Sequence, residues 1–131
     1  VIAQRTPDGK LSASTAKYTN GVVTGKVSAF GTYCVATDAT PPVVTPSFRD
    51  GGNMAAEEDV SYTISDEFSG IYSYTATVDG KWVILEYDMI QKKVYHYFDD
   101  ALSGKGKTHT IVLTVRDGAG NTTTSTRTYF R

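Results

Sequence analysis

Val60-Ser61-Tyr62-Thr63-Ile64-Ser65, followed by Asp66-Glu67-Phe68-Ser69-Gly70-Ile71 and then Tyr72-Ser73-Tyr74-Thr75-Ala76-Thr77-Val78-Asp79-Gly80-Lys81-Trp82, is the stretch that decides the fold. Val60, Tyr62 and Ile64 alternate with Ser61, Thr63 and Ser65, the period-two pattern of a half-buried strand. That strand ends at Asp66, where a polar loop begins. Asp79-Gly80 then lies between two β-prone runs, and an Asp-Gly pair in that position supplies the positive φ angles of a type I′ hairpin turn. Tyr72 to Val78 and Lys81 to Tyr87 are therefore predicted to pair as antiparallel strands. Trp82, directly after the turn, is expected in the core between two sheets.

Working outward, Val94 to Phe98 reads as a strand after the Gln91-Lys92-Lys93 turn. His109, Ile111, Leu113 and Val115 share one face of another strand. Thr124, Thr126, Thr128 and Phe130 share one side of the strand after the turn Asp117-Gly118-Ala119-Gly120-Asn121. Upstream, Val43-Val44-Thr45-Pro46 reads as an edge strand limited by its proline. Glu57-Glu58-Asp59 reads as a solvated connection. This gives about seven strands in about ninety residues, the size and turn spacing of an immunoglobulin-like antiparallel β-sandwich, and the chain is read as all-β.

Residues 1–40 are different in character. Lys10 to Tyr18 alternate weakly, Asn20-Gly21 marks a turn, and Val22 to Phe30 is expected to continue as strand, interrupted at Gly25. These short strands carry too few large apolar residues to close a core alone. They read as a strand-rich segment, either the end of a preceding β-domain or a layer packed on the next domain. Asp38-Ala39-Thr40-Pro41-Pro42 marks the boundary, because consecutive prolines hold the backbone extended and unpaired. The sandwich domain is assigned to residues 41–131. Val1-Ile2-Ala3 reads as the middle of a longer protein.

Composition narrows the chemistry. Thirteen Lys and Arg face fourteen Asp and Glu for a formal net charge of −1, which argues against a nucleic-acid or anionic-membrane partner. No apolar run approaches the roughly 18 residues of a spanning helix, so no membrane insertion is expected. Cys34 is the single cysteine, so neither an intramolecular disulfide nor a thiolate zinc site is available, and it is expected as a small buried apolar residue.

His96 and Asp100 spell H-x-x-x-D, half of a zinc-binding pattern. On one strand their Cα atoms would lie about 13 Å apart, too far to share a metal. No catalytic residue and no cofactor are assigned. Asp66, Asp117 and Asn121 are calcium candidates, since loop oxygens suit a hard cation; the competing reading is that the aspartates cap turns through their own backbone. Tyr72 and Tyr74 project to one face of their strand, as do Tyr95 and Tyr97 on theirs, and would form a sugar-stacking platform if the pairs were neighbours.

The series Phe30-Gly31-Thr32-Tyr33, Asp38-Ala39-Thr40-Pro41-Pro42, Ile64-Ser65-Asp66-Glu67-Phe68-Ser69-Gly70-Ile71, Asp79-Gly80-Lys81-Trp82, Glu86-Tyr87-Asp88 and Val115-Arg116-Asp117-Gly118-Ala119-Gly120-Asn121 resembles the C-terminal, non-catalytic β-sandwich region of bacterial lysostaphin-type zinc endopeptidases. These are peptidoglycan hydrolases in which zinc is held by a glycine-flanked H-x-x-x-D and a later H-x-H. His96 and Asp100 lack the flanking glycines and no H-x-H is present, so no family catalytic residue carries over. The resemblance implies a non-enzymatic accessory domain of a secreted, periplasmic or cell-envelope metallopeptidase. Its expected partner is the enzyme's own upstream peptidase domain or an envelope component. The alternatives are a carbohydrate-binding module that takes a glycan on its tyrosines and an adhesin-like spacer.

Overall fold

Strands and loops make up the whole of the computed structural model, which describes residues 1–14 and 16–131 and has no helix among them. The first strands are β1 (Ile2–Arg5), β2 (Leu11–Ser14), β3 (Ala16–Thr19), β4 (Val22–Gly25) and β5 (Thr32–Val35). They form a three-stranded sheet in the order β2-β1-β5 and a separate β3-β4 ribbon. Asn20 and Gly21 turn the ribbon with φ of 51° and 83°, as an Asn-Gly hairpin requires. The expected Lys10 to Tyr18 run crosses residue 15, which lies outside the described residues. The strand expected to reach Phe30 stops at Gly25. Cys34 is exposed, contrary to expectation: it stands on edge strand β5 of a sheet whose one fully buried apolar side chain, among the described residues, is Ala3, so there is no core to cover it.

After the double proline come β6 (Val43–Pro46), β7 (Gly52–Asn53), β8 (Asp59–Ser65), β9 (Ile71–Val78), β10 (Lys81–Val83), β11 (Glu86–Asp88), β12 (Lys93–Tyr97), β13 (Thr108–Asp117) and β14 (Thr122–Phe130). They build two sheets, β11-β12-β8-β6 and β10-β9-β13-β14-β7, antiparallel except where β7 runs parallel to β14. The leading strand is thus shared between both sheets, as β6 on one and β7 on the other. This is an immunoglobulin-like β-sandwich. Among the described residues no strand ladder joins the sheets before residue 40 to those after it.

Asp79 and Gly80 turn β9 into β10 with φ of 50° and 77°, as the sequence predicts. The second strand is shorter than expected. It ends at Val83, and the chain then crosses to the other sheet, where Tyr87 pairs with Val94. Register explains why Trp82 is 65% exposed rather than a core residue. Val83 pairs with Ala76, which pairs with Leu113, and all three are buried. Neighbouring side chains on a strand point to opposite faces, so Trp82, opposite Thr77, must face out.

Core aromatics come from elsewhere. Phe48 packs edge-on to Tyr62 at 5.5 Å and to Tyr129 at 6.3 Å, while Phe98 tilts over Tyr129 at 5.2 Å. Around them close Val60, Ile64, Val78, Val94, Ile111 and Val115, each worth about 1.5–3 kcal/mol when fully buried. The loop after β12 covers one end of this core. There Ser103 Oγ lies 2.8 Å from the Tyr129 hydroxyl, and Arg131 lies over the Phe98 ring, donates to the Ser103 carbonyl and pairs with Asp100.

A second clamp fastens the hairpin turn to the same end. Buried His109 bridges Asp79 Oδ2 at 2.6 Å through Nδ1 and the Gly104 carbonyl at 2.7 Å through Nε2, while the Thr110 N–H donates to Asp79 Oδ1 at 2.8 Å. Desolvation pulls the Asp79 carboxyl upward, but the His109 hydrogen bond and the Thr110 N–H outweigh it and hold its pKa below the ordinary 3.8. A depressed native pKa gives stability that is present above 3.8 and lost as pH falls through the native value. Asp79→Asn should therefore narrow the stability gap between wild type and variant as pH drops from 6 to about 2.5. Urea midpoints across that range are the check, and a gap that stays constant with pH would refute this linkage.

Candidate functional site

Three loops converge where residues 38–42 reach the sandwich. The β8–β9 loop brings Asp66, the last residue of β13 is Asp117, and the linker brings Asp38; one carboxylate oxygen from each lies within 4.8 Å of the others. Asp117 is fully buried and the other two are half-buried. Sequence reasoning found Asp66, Asp117 and Asn121, and the structure brings them together. It missed Asp38, whose sequence signal was an aspartate two residues before a threonine and three before a proline, a side-chain turn of its own. Glu67 is exposed and stays outside the group.

Each aspartate organises backbone. Asp117 Oδ1 accepts from the N–H groups of Ala119, Gly120 and Asn121 at 2.9, 2.7 and 2.8 Å, and its Oδ2 accepts from Asn121 Nδ2 at 2.8 Å. Asp66 Oδ1 accepts from the N–H groups of Phe68 and Gly70. Asp38 accepts from Thr40 N–H on one oxygen and from Ser69 N–H on the other, while its carbonyl accepts from Asn121 Nδ2 at 2.9 Å. Hydrogen bonding from Ser69, then from the Thr40 N–H, holds the Asp38 carboxyl below its ordinary pKa. Gly118 is required because the Ser69 carbonyl sits so near that an added Cβ would meet it at 2.6 Å. The loops are thus built against each other, which is the turn-capping chemistry. The same oxygens are of the type a hard cation takes, and no Lys or Arg forms an ion pair with them among the described residues.

The tyrosines separate. Tyr74 turns inward, partly buried against the core and 5.4 Å from Tyr87. Tyr72 is exposed, with the Arg116 guanidinium 5.9 Å from its ring centroid. Tyr95 and Tyr97 lie nearly parallel at 6.1 Å and 14° on β12. Because β9 pairs with β10 and β13 while β12 pairs with β8 and β11, the two pairs belong to different sheets and do not form one platform.

His96 and Asp100 also part ways. His96 is buried, its Nδ1 3.3 Å from the Ile84 carbonyl, and desolvation pushes its pKa down. Asp100 is exposed and paired with Arg131 at 2.8 Å. Beside the carboxylates opens a cleft of about 960 Å³, between the β3-β4 ribbon and the ends of β9 and β13, lined by Lys17, Tyr18, Asp38, Tyr72 and Arg116 among others.

No protein-family model matches the chain, and no curated protein matches it. Solved structures that resemble it include the endo-beta-1,4-mannanase from Thermotoga petrophila, with a TM-score of 0.54 and 12% identity over 71% of this chain and 20% of that one. At that identity the likeness is one of fold. The class is that of immunoglobulin-like β-sandwiches, here with a strand-rich segment leading into the carboxylate-lined junction.

Proposed function

We propose that the chain is a non-catalytic accessory region of a secreted or periplasmic cell-wall metallopeptidase of the lysostaphin type, and that the sandwich holds a neighbouring part of the enzyme in a fixed position or contacts the envelope. The observation that carries this reading is the junction. Asp38 is tied to the Ser69 N–H and to Asn121, and the Pro42 carbonyl accepts from Thr123 Oγ1 at 2.6 Å. Loops that could serve recognition are spent on gripping the incoming chain, which is what a positioning module needs. The ordered series of motifs around Asp38, Asp66 and Asp117 supports the family assignment.

Two measurements test it. Calorimetric titration with Zn²⁺ should give no tight site, and purified sacculi should release no fragments on incubation with the chain; one tight zinc site or measurable cleavage would sink the reading. Asp38→Ala should free the linker, raising the rate of limited proteolysis within residues 36–42 by about tenfold, as expected for losing roughly 1.4 kcal/mol of local hydrogen bonding.

A second reading has one observation of its own, the half-exposed, nearly parallel Tyr95 and Tyr97 pair on the outer face of the four-stranded sheet. It makes the chain a carbohydrate-binding module, and it requires that Tyr95→Ala and Tyr97→Ala abolish retention on a glycan matrix.

A further inference from the structure

The end of the core around Tyr129 holds a run of four rings, His96, Phe98, Tyr129 and His109, whose successive centroids lie 6.2, 5.2 and 5.5 Å apart. Both histidines are buried, at 2% and 4% exposure, but their partners differ. Each nitrogen of His109 meets an acceptor, Asp79 Oδ2 and the Gly104 carbonyl, so that ring can carry a proton on both. His96 has one partner. A carbonyl only accepts, so Nδ1, 3.3 Å from the Ile84 carbonyl, carries the proton of the neutral ring. Nε2 is buried and has no hydrogen-bond partner among the described residues. Neither reading of function uses this atom.

Ile84 lies between β10 and β11, where the chain leaves one sheet for the other, and His96 ties β12 to that crossing. Beyond it, the Phe98 N–H donates to the Glu58 carbonyl at 2.9 Å, and the N–H groups of Leu102 and Ser103 donate to the Asp99 carbonyl at 3.0 and 2.7 Å. The charged groups nearby offer Nε2 no acceptor. Asp99 favours a proton on His96, but its carboxylate is exposed and accepts from the Ala101 N–H; Arg131 opposes that proton and pairs with Asp100. Across the core, Asp79 is held by His109 and the Tyr129 hydroxyl by Ser103. On β8, burial pushes the Tyr62 phenol up, so it stays neutral, and on β11 Tyr87 turns to Tyr74. Tyr95 pairs with Glu86, Lys93 with Asp88 and Tyr97 with Asp59 on the outer face, whereas His96 pairs with buried Val60 on the inner one. Burial outweighs the Ile84 bond and the Asp99 carboxylate and holds the His96 pKa below the ordinary 6.5.

We infer that His96 is an acid-sensitive latch on this end of the sandwich. The neutral ring fastens β12 to the crossing at Ile84; a proton on Nε2 creates a buried N–H with no acceptor, and residues 83–86 and 98–104 open to solvate it. This device needs neither the positioning role nor the glycan reading. In the opened state the ring titrates at its ordinary 6.5, above its value in the closed state. Opening is therefore independent of pH well above 6.5 and grows by up to about tenfold per pH unit below it, until the closed-state value is reached.

Amide hydrogen exchange of the intact chain from about pH 7.5 to about pH 5 is the test, together with an NMR titration of the His96 ring through its Cε1 shift. After correction for intrinsic exchange, the amides of Phe98, Leu102 and Ser103 should lose about tenfold in protection across this range. At the acid end they should exchange at least about tenfold faster than the amide of Leu113 in central β13, which marks opening short of global unfolding. His96→Asn keeps a donor for the Ile84 carbonyl and cannot titrate, so its protection should not change with pH beyond a residual twofold or so. A ring that titrates at or above 6.5 overturns the inference. So does protection that stays flat in the wild type, an equal loss in His96→Asn, or exchange of all four amides at one rate. Should His96→Asn fail to fold, the ring titration and the wild-type exchange rates decide the question without it.

Discussion

Asp117→Ala should lower the stability of the fold by about 4 kcal/mol and the melting temperature by roughly 15 °C. The side chain is buried and accepts from the N–H groups of Ala119, Gly120 and Asn121 as well as from Asn121 Nδ2. Removing it leaves those donors without an acceptor, at about 1–3 kcal/mol for each one that stays buried. One effect opposes this. Three carboxylates within 4.8 Å repel one another, by roughly 3 kcal/mol per pair at an effective dielectric near 20 and less where water reaches Asp38 and Asp66. Several donors against a partly screened repulsion leave the hydrogen bonds dominant. Asp117→Asn separates the two terms, because it keeps one acceptor oxygen and removes the charge; it should lose less than half as much. Urea unfolding gives both values, and a loss below 1 kcal/mol for the alanine variant would mean that repulsion governs the cluster.

Tyr129→Ala is expected to cost a similar amount, about 4 kcal/mol, for a different reason. Its fully buried ring contacts the rings of Phe48, Phe98 and His109, so truncation opens a cavity at the end of the core. Tyr129→Phe keeps the ring and removes only the hydroxyl, leaving buried Ser103 Oγ without its partner at 2.8 Å, and should cost about 1–2 kcal/mol. Against a total of about 5–15 kcal/mol, the alanine variant would sit near the unfolding threshold at 37 °C. Equal losses for the two substitutions would show that the hydroxyl contact, and not ring packing, anchors the loop after β12.

The strands of the sandwich were legible because period-two alternation and turn chemistry are local. His109 to Val115 showed its buried face directly, and Asp79-Gly80 and Asn20-Gly21 showed their turns. What was not legible depends on partners far along the chain. Trp82 looked like a core residue by size, but which face of its hairpin is buried is set by the distant strand β13, where Leu113 pairs with Ala76 and so turns Val83, not Trp82, inward. Cys34 looked buried by type, but burial needs a second layer that its short sheet lacks. Asp66 and Asp117 were recognisable as loop oxygens, yet only the folding of the linker against both loops brings Asp38, 28 residues before Asp66, to the same point. The tyrosine pairs failed as one platform because sequence proximity says nothing about which sheet a strand joins.

The grip on the linker also decides how the molecule answers a pull. Tension entering through residue 38 does not reach the β6 ladder first. It is borne by the Asp38 contacts to Ser69 and Asn121 and then by the Pro42 contact to Thr123, side-chain and loop bonds that can open and re-form without unzipping a strand. On this geometry the junction would be the first part to yield under load, ahead of the ladder that joins β6 to β8.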